Sequence, residues 1–209
     1  ITMIDCYTWK TGNGRKAILM LAESGLPHRI VPVDISKGQH KTPEYTKMNP
    51  NQVIPTIIDH DAPGGPVTIF ESGAILLYLA EKSGKLLPTS VAERAACYQW
   101  MFWHSATFVP GVIPLHMMAQ GRIPKEPAAE QAALARLKTL YTMLENRLGQ
   151  SAYLAGPQYS VADVMMSPML TRRAWHGIDL ASFPNLKRWF EAITARPAAK
   201  EAFSDTPLA

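Results

Sequence analysis

The periodicity of apolar residues changes once along this chain, and that break constrains the fold more than any other feature. Residues 1–84 alternate short apolar runs with short helical patterns, whereas from about Glu93 onward the spacing is helical throughout. A strand presents one face every second residue and a helix about every 3.6, so each part can bury its apolar residues only as its own kind of element. In the first part, Met3 to Tyr7 predicts a strand and Arg15 to Ser24 a helix stopped by Gly25 and Pro27. Ile30 to Val33 predicts a second strand, with Pro32 pointing to a sheet edge. Thr42-Pro43-Glu44 is a helix start with Thr as cap and Pro in the first helical position. Thr56 to Asp59 and Val67 to Phe70 predict strands joined through Pro63-Gly64-Gly65-Pro66. Ser72 is the expected cap of a helix ending near Lys82, with Gly84 as its stop.

The resulting order, βαβαββα, is that of a thioredoxin-like domain, so the expected class is α+β over residues 1–84 followed by an all-α domain over 93–209. In the second part, Leu134, Leu137, Leu140, Tyr141, Leu144 and Leu148 mark the core face of a long helix, with Gly149 as the expected stop. Ser160 to Asp163 forms a capping box in which Asp replaces the usual Glu. Pro110 and Pro114 should bend or end the helix carrying Trp100 and Trp103.

With 47% hydrophobic and 18% charged residues, the composition excludes a disordered or fibrous chain. No apolar stretch approaches the roughly 18–20 residues of a membrane span, and the first residues lack a secretory pattern. A net charge of +4, without a basic run, argues against nucleic acid as partner. The two cysteines, Cys6 and Cys97, are far apart and form no C-x-x-C, which excludes a dithiol of the chain's own and makes a reducing, cytoplasmic compartment the expectation. His104 and His116 lack ligand spacing, so no metal is expected.

Gly12-Asn13-Gly14-Arg15-Lys16-Ala17 satisfies G-x-G-x-x-A before a helix, with Asp34 near the place of a ribose-binding acid. The intervening Thr8 to Thr11 and the closing hairpin are wrong for a dinucleotide fold. Turn glycines at a helix entrance are the better account. Thr11 and Asn13 nevertheless place a hydroxyl and a carboxamide at a helix N-terminus, where a phosphate, carboxylate or thiolate is favoured. Simple helix capping by the same residues is the alternative. Val53-Ile54-Pro55 and Glu71-Ser72-Gly73 add a candidate extended-peptide site and a pair of groups suited to an α-amino acid end.

Taken with Asn49-Pro50 and the run Phe70 to Lys82 (FESGAILLYLAEK), these motifs resemble the glutathione transferases over nearly the whole chain. Tyr7 to Lys16 (YTWKTGNGRK) looks most like the bacterial nu-class members, which are glutathione-dependent disulfide-bond oxidoreductases, while Lys37 to Glu44 is similar to theta-class sequence. The resemblance implies that Thr11 and Asn13 meet the glutathione sulfur, and that the chain at Val53 and Ile54 bonds the cysteinyl part. It further implies that Glu71 and Ser72 hold the γ-glutamyl end and that His40, where nu-class members carry Gln, lies at the glycyl end. Nu-class proteins contact glutathione through an Arg on the long helix of the second domain. Ala132 stands in its place here, and Arg136 follows one turn later. A homodimer is implied as well.

Tyr7, which lies within a strand pattern, is expected in the core and not at the sulfur; Cys6 and Cys97 are expected to be buried. Trp100, Phe102, Trp103, Met117, Met118 and Trp175 are candidates for an apolar acceptor site, with core packing as the alternative for each. The expected activity is reduction of small organic disulfides with glutathione as co-substrate. Conjugation of glutathione to electrophiles is one alternative, and a non-catalytic binding or stress protein of the same fold is another.

Overall fold

The computed structural model describes residues 3–206 and 208, without the side chain of His176. The chain forms two compact units. The first comprises the residues up to Leu87 together with those from Arg196 onward; the second is Pro88–Ala195.

In the first unit, β1 (Ile4–Thr8), α1 (Gly12–Ser24), β2 (His28–Pro32), α2 (Pro43–Met48), β3 (Thr56–Asp59), β4 (Val67–Phe70) and α3 (Ser72–Ser83) follow in the expected order. The sheet order is β2-β1-β3-β4, with β1 parallel to β2 and antiparallel to β3, and β3 antiparallel to β4. Pro32 lies on an edge strand, where its missing N–H leaves no inner ladder bond unmade. Thr42 caps α2 by accepting from the Tyr45 amide, with Pro43 beginning the helix. A thioredoxin-like domain with a mixed four-stranded sheet is thus what the first part of the chain builds.

Helix α1 is buried over most of its circumference, from Ala17 to Leu21, because it packs against β1, α3 and the C-terminal helix α10 (Pro197–Phe203). The domain boundary read from sequence therefore shifts: α10 belongs with the first unit and not with the helical one. Polar ties reinforce its docking. Arg196 forms a two-pronged pair with Glu23 at 2.6 and 2.8 Å, and buried Arg15 donates to the Phe203 carbonyl and the Asp205 carboxylate. Tertiary docking of this kind leaves no periodic signal in the sequence.

The second unit contains α4 (Val91–Trp103), α5 (Val109–Ala119), α6 (Pro127–Gln150), α7 (Val161–Leu170), α8 (Arg173–His176) and α9 (Pro184–Thr194). The prolines do not end the helix after Trp103. One π-helical turn, His104–Phe108, joins α4 to α5, consistent with Pro110 lacking the N–H that a regular ladder would use. Gly149 does not stop α6 either, which runs to Gln150; a Cβ on Gly149 would lie 3.3 Å from the Asn185 amide nitrogen, so this glycine admits a neighbour instead of ending a helix.

Asp163 is the polar centre of this unit. Fully buried, it accepts from the Leu154 amide (2.9 Å), the Ser160 amide (2.9 Å), the Ser160 hydroxyl (3.0 Å) and the Trp189 indole (2.8 Å). The capping box at the start of α7 is therefore present, and it also fastens α9 and the preceding loop.

Candidate functional site

The strand register brings the separated sequence motifs to one end of the sheet. Tyr7 pairs with Thr56, and Thr56 pairs with Phe70, forming a row across β1, β3 and β4. Beyond that row β1 runs into Thr11 and α1, the chain entering β3 passes through Ile54-Pro55, and β4 runs into Glu71 and Ser72. Three stretches far apart in sequence therefore flank one sheet end.

Helix α1 begins at Gly12, three residues before the start predicted from the sequence. Thr11 is its cap: its Oγ1 accepts from the Gly14 amide at 3.1 Å and its carbonyl from the Arg15 amide at 2.9 Å. The amides of Gly12 and Asn13 remain as first-turn donors without an intrahelical acceptor. Gly14 has a steric reason to be glycine, since a Cβ there would come within 1.9 Å of the Trp9 carbonyl oxygen. The G-x-G-x-x-A pattern is thus turn-and-packing chemistry, as its context implied.

The side chains around this helix start are polarised. Exposed Asn13 turns its Oδ1 to the Lys16 ammonium, which donates at 2.8 Å. Lys16 is only 1% exposed; burial pushes its pKa down to about 7, against the opposing pull of the Glu71 carboxylate. Arg15 and Lys16 stand in the first turns of α1, where the helix dipole disfavours cations, and the first turn itself holds no acidic residue. Sequence reading passed over Lys16. Two consecutive cations at the positive end of an apolar helix are the signal that would have found it.

The entry to β3 is braced from below. The Ile54-Pro55 bond is cis. The Val53 carbonyl accepts from both the Tyr45 hydroxyl (2.7 Å) and the Asn49 carboxamide (2.8 Å). The Val53 carbonyl is thus used twice within the chain, and the main chain of Ile54 is the better-placed candidate for a peptide ligand. Tyr45 and Asn49 also meet the Thr56 hydroxyl, so both hold this loop in shape.

At the start of α3, Glu71 and not Ser72 occupies the cap position. Glu71 has φ 71° and ψ 114°, a left-handed-side conformation costly for a residue with a Cβ. Ser72 is already helical, and its hydroxyl is left out of capping. Such strain in an exposed acidic residue is the kind that clusters at binding sites. His40 sits in a short 3-10 turn, and its buried Nδ1 has no hydrogen-bond partner among the described residues.

Tyr7 is part-buried and packs with Trp9, Ile35 and Met48 around Val33, Tyr45 and Ile54, as expected of a core residue. Both cysteines are free and buried. Burial pushes the Cys6 thiol up to about 12 and raises that of Cys97 as well.

Within the helical unit, a groove of about 710 Å³ runs between α5 and α6, walled by Pro110, Gly111, Pro114, Met118 and Ala132, with Arg136 as its charged member. Ala132 and Arg136 thus share one face of α6. Of the aromatic and methionine candidates, only Met118 lines this groove. Trp100 and Trp103 pack edge to face at 5.1 Å, Phe102 is 69% exposed, and Trp175 packs against His116 and beneath the Arg172 guanidinium.

Comparison with known proteins agrees with this arrangement. The family model described as the glutathione S-transferase N-terminal domain matches residues 13–82, and that of the C-terminal domain matches residues 100–197. The disulfide-bond oxidoreductase YfcG of Escherichia coli is 41% identical over 208 residues, covering 99% of this chain and 97% of that protein. This chain belongs to the glutathione S-transferase family.

Among solved transferases, one from Burkholderia graminis with two glutathione molecules per subunit superposes with a TM-score of 0.91 at 32% identity, covering 100% of this chain and 90% of the other. One from Pseudomonas putida, with one glutathione disulfide per subunit, also gives 0.91, at 27% identity and coverages of 99% and 93%. Among the described residues of this chain, no helix is long and apolar enough to cross a membrane.

Proposed function

We propose that this transferase-family chain is a glutathione-dependent disulfide-bond oxidoreductase, reducing small organic disulfides with thiols carried by bound glutathione. The observation that carries the proposal is a mismatch. The donor-rich start of α1 suits a thiolate, yet both cysteines of the chain are buried with raised thiol pKa values. The reacting sulfur is then the ligand's. The resemblance over the full length to a disulfide-bond oxidoreductase supports the same reading.

In the proposed site, Thr11, Asn13 and the free first-turn amides stabilise the glutathione thiolate through hydrogen bonds and the helix dipole. The Ile54 main chain pairs with the cysteinyl part. Glu71 takes the γ-glutamyl ammonium, Ser72 its carboxylate, and His40 the glycyl end. In the second unit, the apolar groove with Arg136 as its charged member suits a small, partly apolar molecule.

Exchange then runs in two displacements. One glutathione thiolate attacks the disulfide, forming a mixed disulfide and releasing one substrate thiolate. A second glutathione thiolate attacks the glutathione sulfur of that mixed disulfide, forming glutathione disulfide and releasing the other thiolate. Two glutathione thiols are oxidised and one disulfide is reduced to two thiols.

The same activated thiolate and the apolar groove favour conjugation to an electrophilic carbon as a second reading. Turnover of glutathione with a hydroxyethyl disulfide and with an aromatic halide separates them. The proposal expects the disulfide to be preferred; activity on the halide alone would reject it. Replacing Thr11 and Asn13 together by Ala should lower kcat by about 100-fold while weakening binding far less. The exposed apolar Phe70 of the first unit and Phe102 of the second make a second copy of the chain the proposed partner, testable by sedimentation. Buried free cysteines fit a reducing, cytoplasmic setting.

A further inference from the structure

A carboxamide at a binding site can present either of two faces. Turned one way Asn13 would offer its N–H donors outward, and turned the other way its carbonyl oxygen, which repels a thiolate. Nothing in the covalent structure of Asn chooses between them.

Lys16 makes that choice. A protonated ammonium has three donors and no acceptor, so in that form the group that faces it is the Asn13 oxygen. The bond is 2.8 Å long, within the range of a charge-assisted contact, and spans one turn of α1, where residues three apart are neighbours. With Oδ1 engaged, the Nδ2 donors are the free end of an exposed side chain. Asn13 is also the only hydrogen-bond partner of this buried ammonium among the described residues, so the preference is not diluted by a rival acceptor. Arg15, the neighbouring cation, is committed elsewhere, to the Phe203 carbonyl and Asp205. The charge that acts on Lys16 from another element is Glu71, at the start of α3. The lysine thus bonds the residue proposed for the sulfur and feels the charge of the residue proposed for the γ-glutamyl ammonium.

We infer that Lys16 is a positioning residue of the glutathione site, holding the Asn13 carboxamide with its N–H donors toward the sulfur. This inference rests on the assignment of Asn13 to the glutathione thiolate made above. Lys16 itself does not touch the ligand. It acts through Asn13, by the bond that fixes the carboxamide.

The test is a double-mutant cycle on the full chain with Lys16→Met, Asn13→Ala and the pair, reading kcat, KM for glutathione, and the thiolate ultraviolet absorption of bound glutathione against pH. Met fills similar space and removes a buried charge, so the variant is expected to fold; Lys16→Gln, which retains a donor without the charge, serves as the second variant. Lys16→Met should lower kcat by about tenfold with KM within about twofold, and should raise the pKa of the bound thiol by about one unit, the equivalent of one charge-assisted hydrogen bond. Lys16→Gln should fall between Met and the native residue. The pair should be no worse than Asn13→Ala alone, because the lysine acts only through the amide.

Native thiol ionisation and kcat in Lys16→Met, or additive losses in the pair, would overturn the inference while leaving the glutathione site intact. A wild-type chain that binds no glutathione would overturn the site itself, and the positioning role with it.

Discussion

Two buried charges near helix N-termini behave in opposite ways in this protein. Asp163 lies in the first turn of α7, where the dipole favours a carboxylate, and four hydrogen bonds compensate the burial that raises its pKa. Lys16 lies near the start of α1, where the dipole disfavours a cation, and it has one hydrogen bond among the described residues. The first is what a structural charge looks like: well placed, saturated, and tied to several elements. The second is costly to hold, which points to use. Glu71, forced to positive φ beside the same site, repeats the pattern in the backbone.

Substitution should separate the two sharply. Removing Asp163 leaves several buried donors without an acceptor, so Asp163→Ala should destabilise the chain by roughly 3–5 kcal/mol, read by denaturant unfolding. If Asp163→Ala unfolded at the native denaturant concentration, the comparison would collapse.

Lys16→Met should do the reverse. The folded state holds the lysine pKa near 7, below its ordinary 10.5, so the unfolded chain binds more protons between those values. Native stability must therefore rise with pH across that window relative to Lys16→Met, by up to about 5 kcal/mol, and should be lowest relative to the variant below pH 7. A pH-independent difference between the two proteins would mean that the lysine is not desolvated in the fold.

A smaller effect is expected from Gly14→Ala. Helix propensity favours alanine, but the added Cβ would press into the Trp9 carbonyl, so the net should be a loss of about 1–3 kcal/mol together with disturbed positioning of Thr11. A stabilised variant would show that the loop before α1 moves aside freely.

The same contrast explains what was legible in the sequence. Local signals were read correctly where local chemistry decides: Thr42-Pro43 at the start of α2, the Ser160–Asp163 box, Pro32 at an edge, and the strand–helix order that builds the first unit. Less is legible where a distant group decides. Gly12 and Gly14 look like loop residues until the Trp9 carbonyl is seen against Gly14. Helix α9 has no cap of its own, because Glu145 of α6 accepts from the Asn185 and Leu186 amides. The C-terminal helix joins the first unit through α1, Arg196 and Arg15, partnerships without sequence periodicity. At the candidate site, motif chemistry singles out Thr11, Asn13, Ile54, Glu71 and Ser72, while Lys16 stands out through its burial and its bond to Asn13.

Burial of both cysteines makes the source of the reacting thiol the claim most open to a direct test. The decisive measurement is glutathione-dependent reduction of a hydroxyethyl disulfide by the Cys6→Ala, Cys97→Ala double variant, alongside its folded signal and glutathione binding. If bound glutathione supplies every reacting sulfur, turnover should stay within about twofold of the native chain, since neither buried thiol ionises near neutral pH. Loss of disulfide reduction in a variant that still folds and binds glutathione would contradict the account.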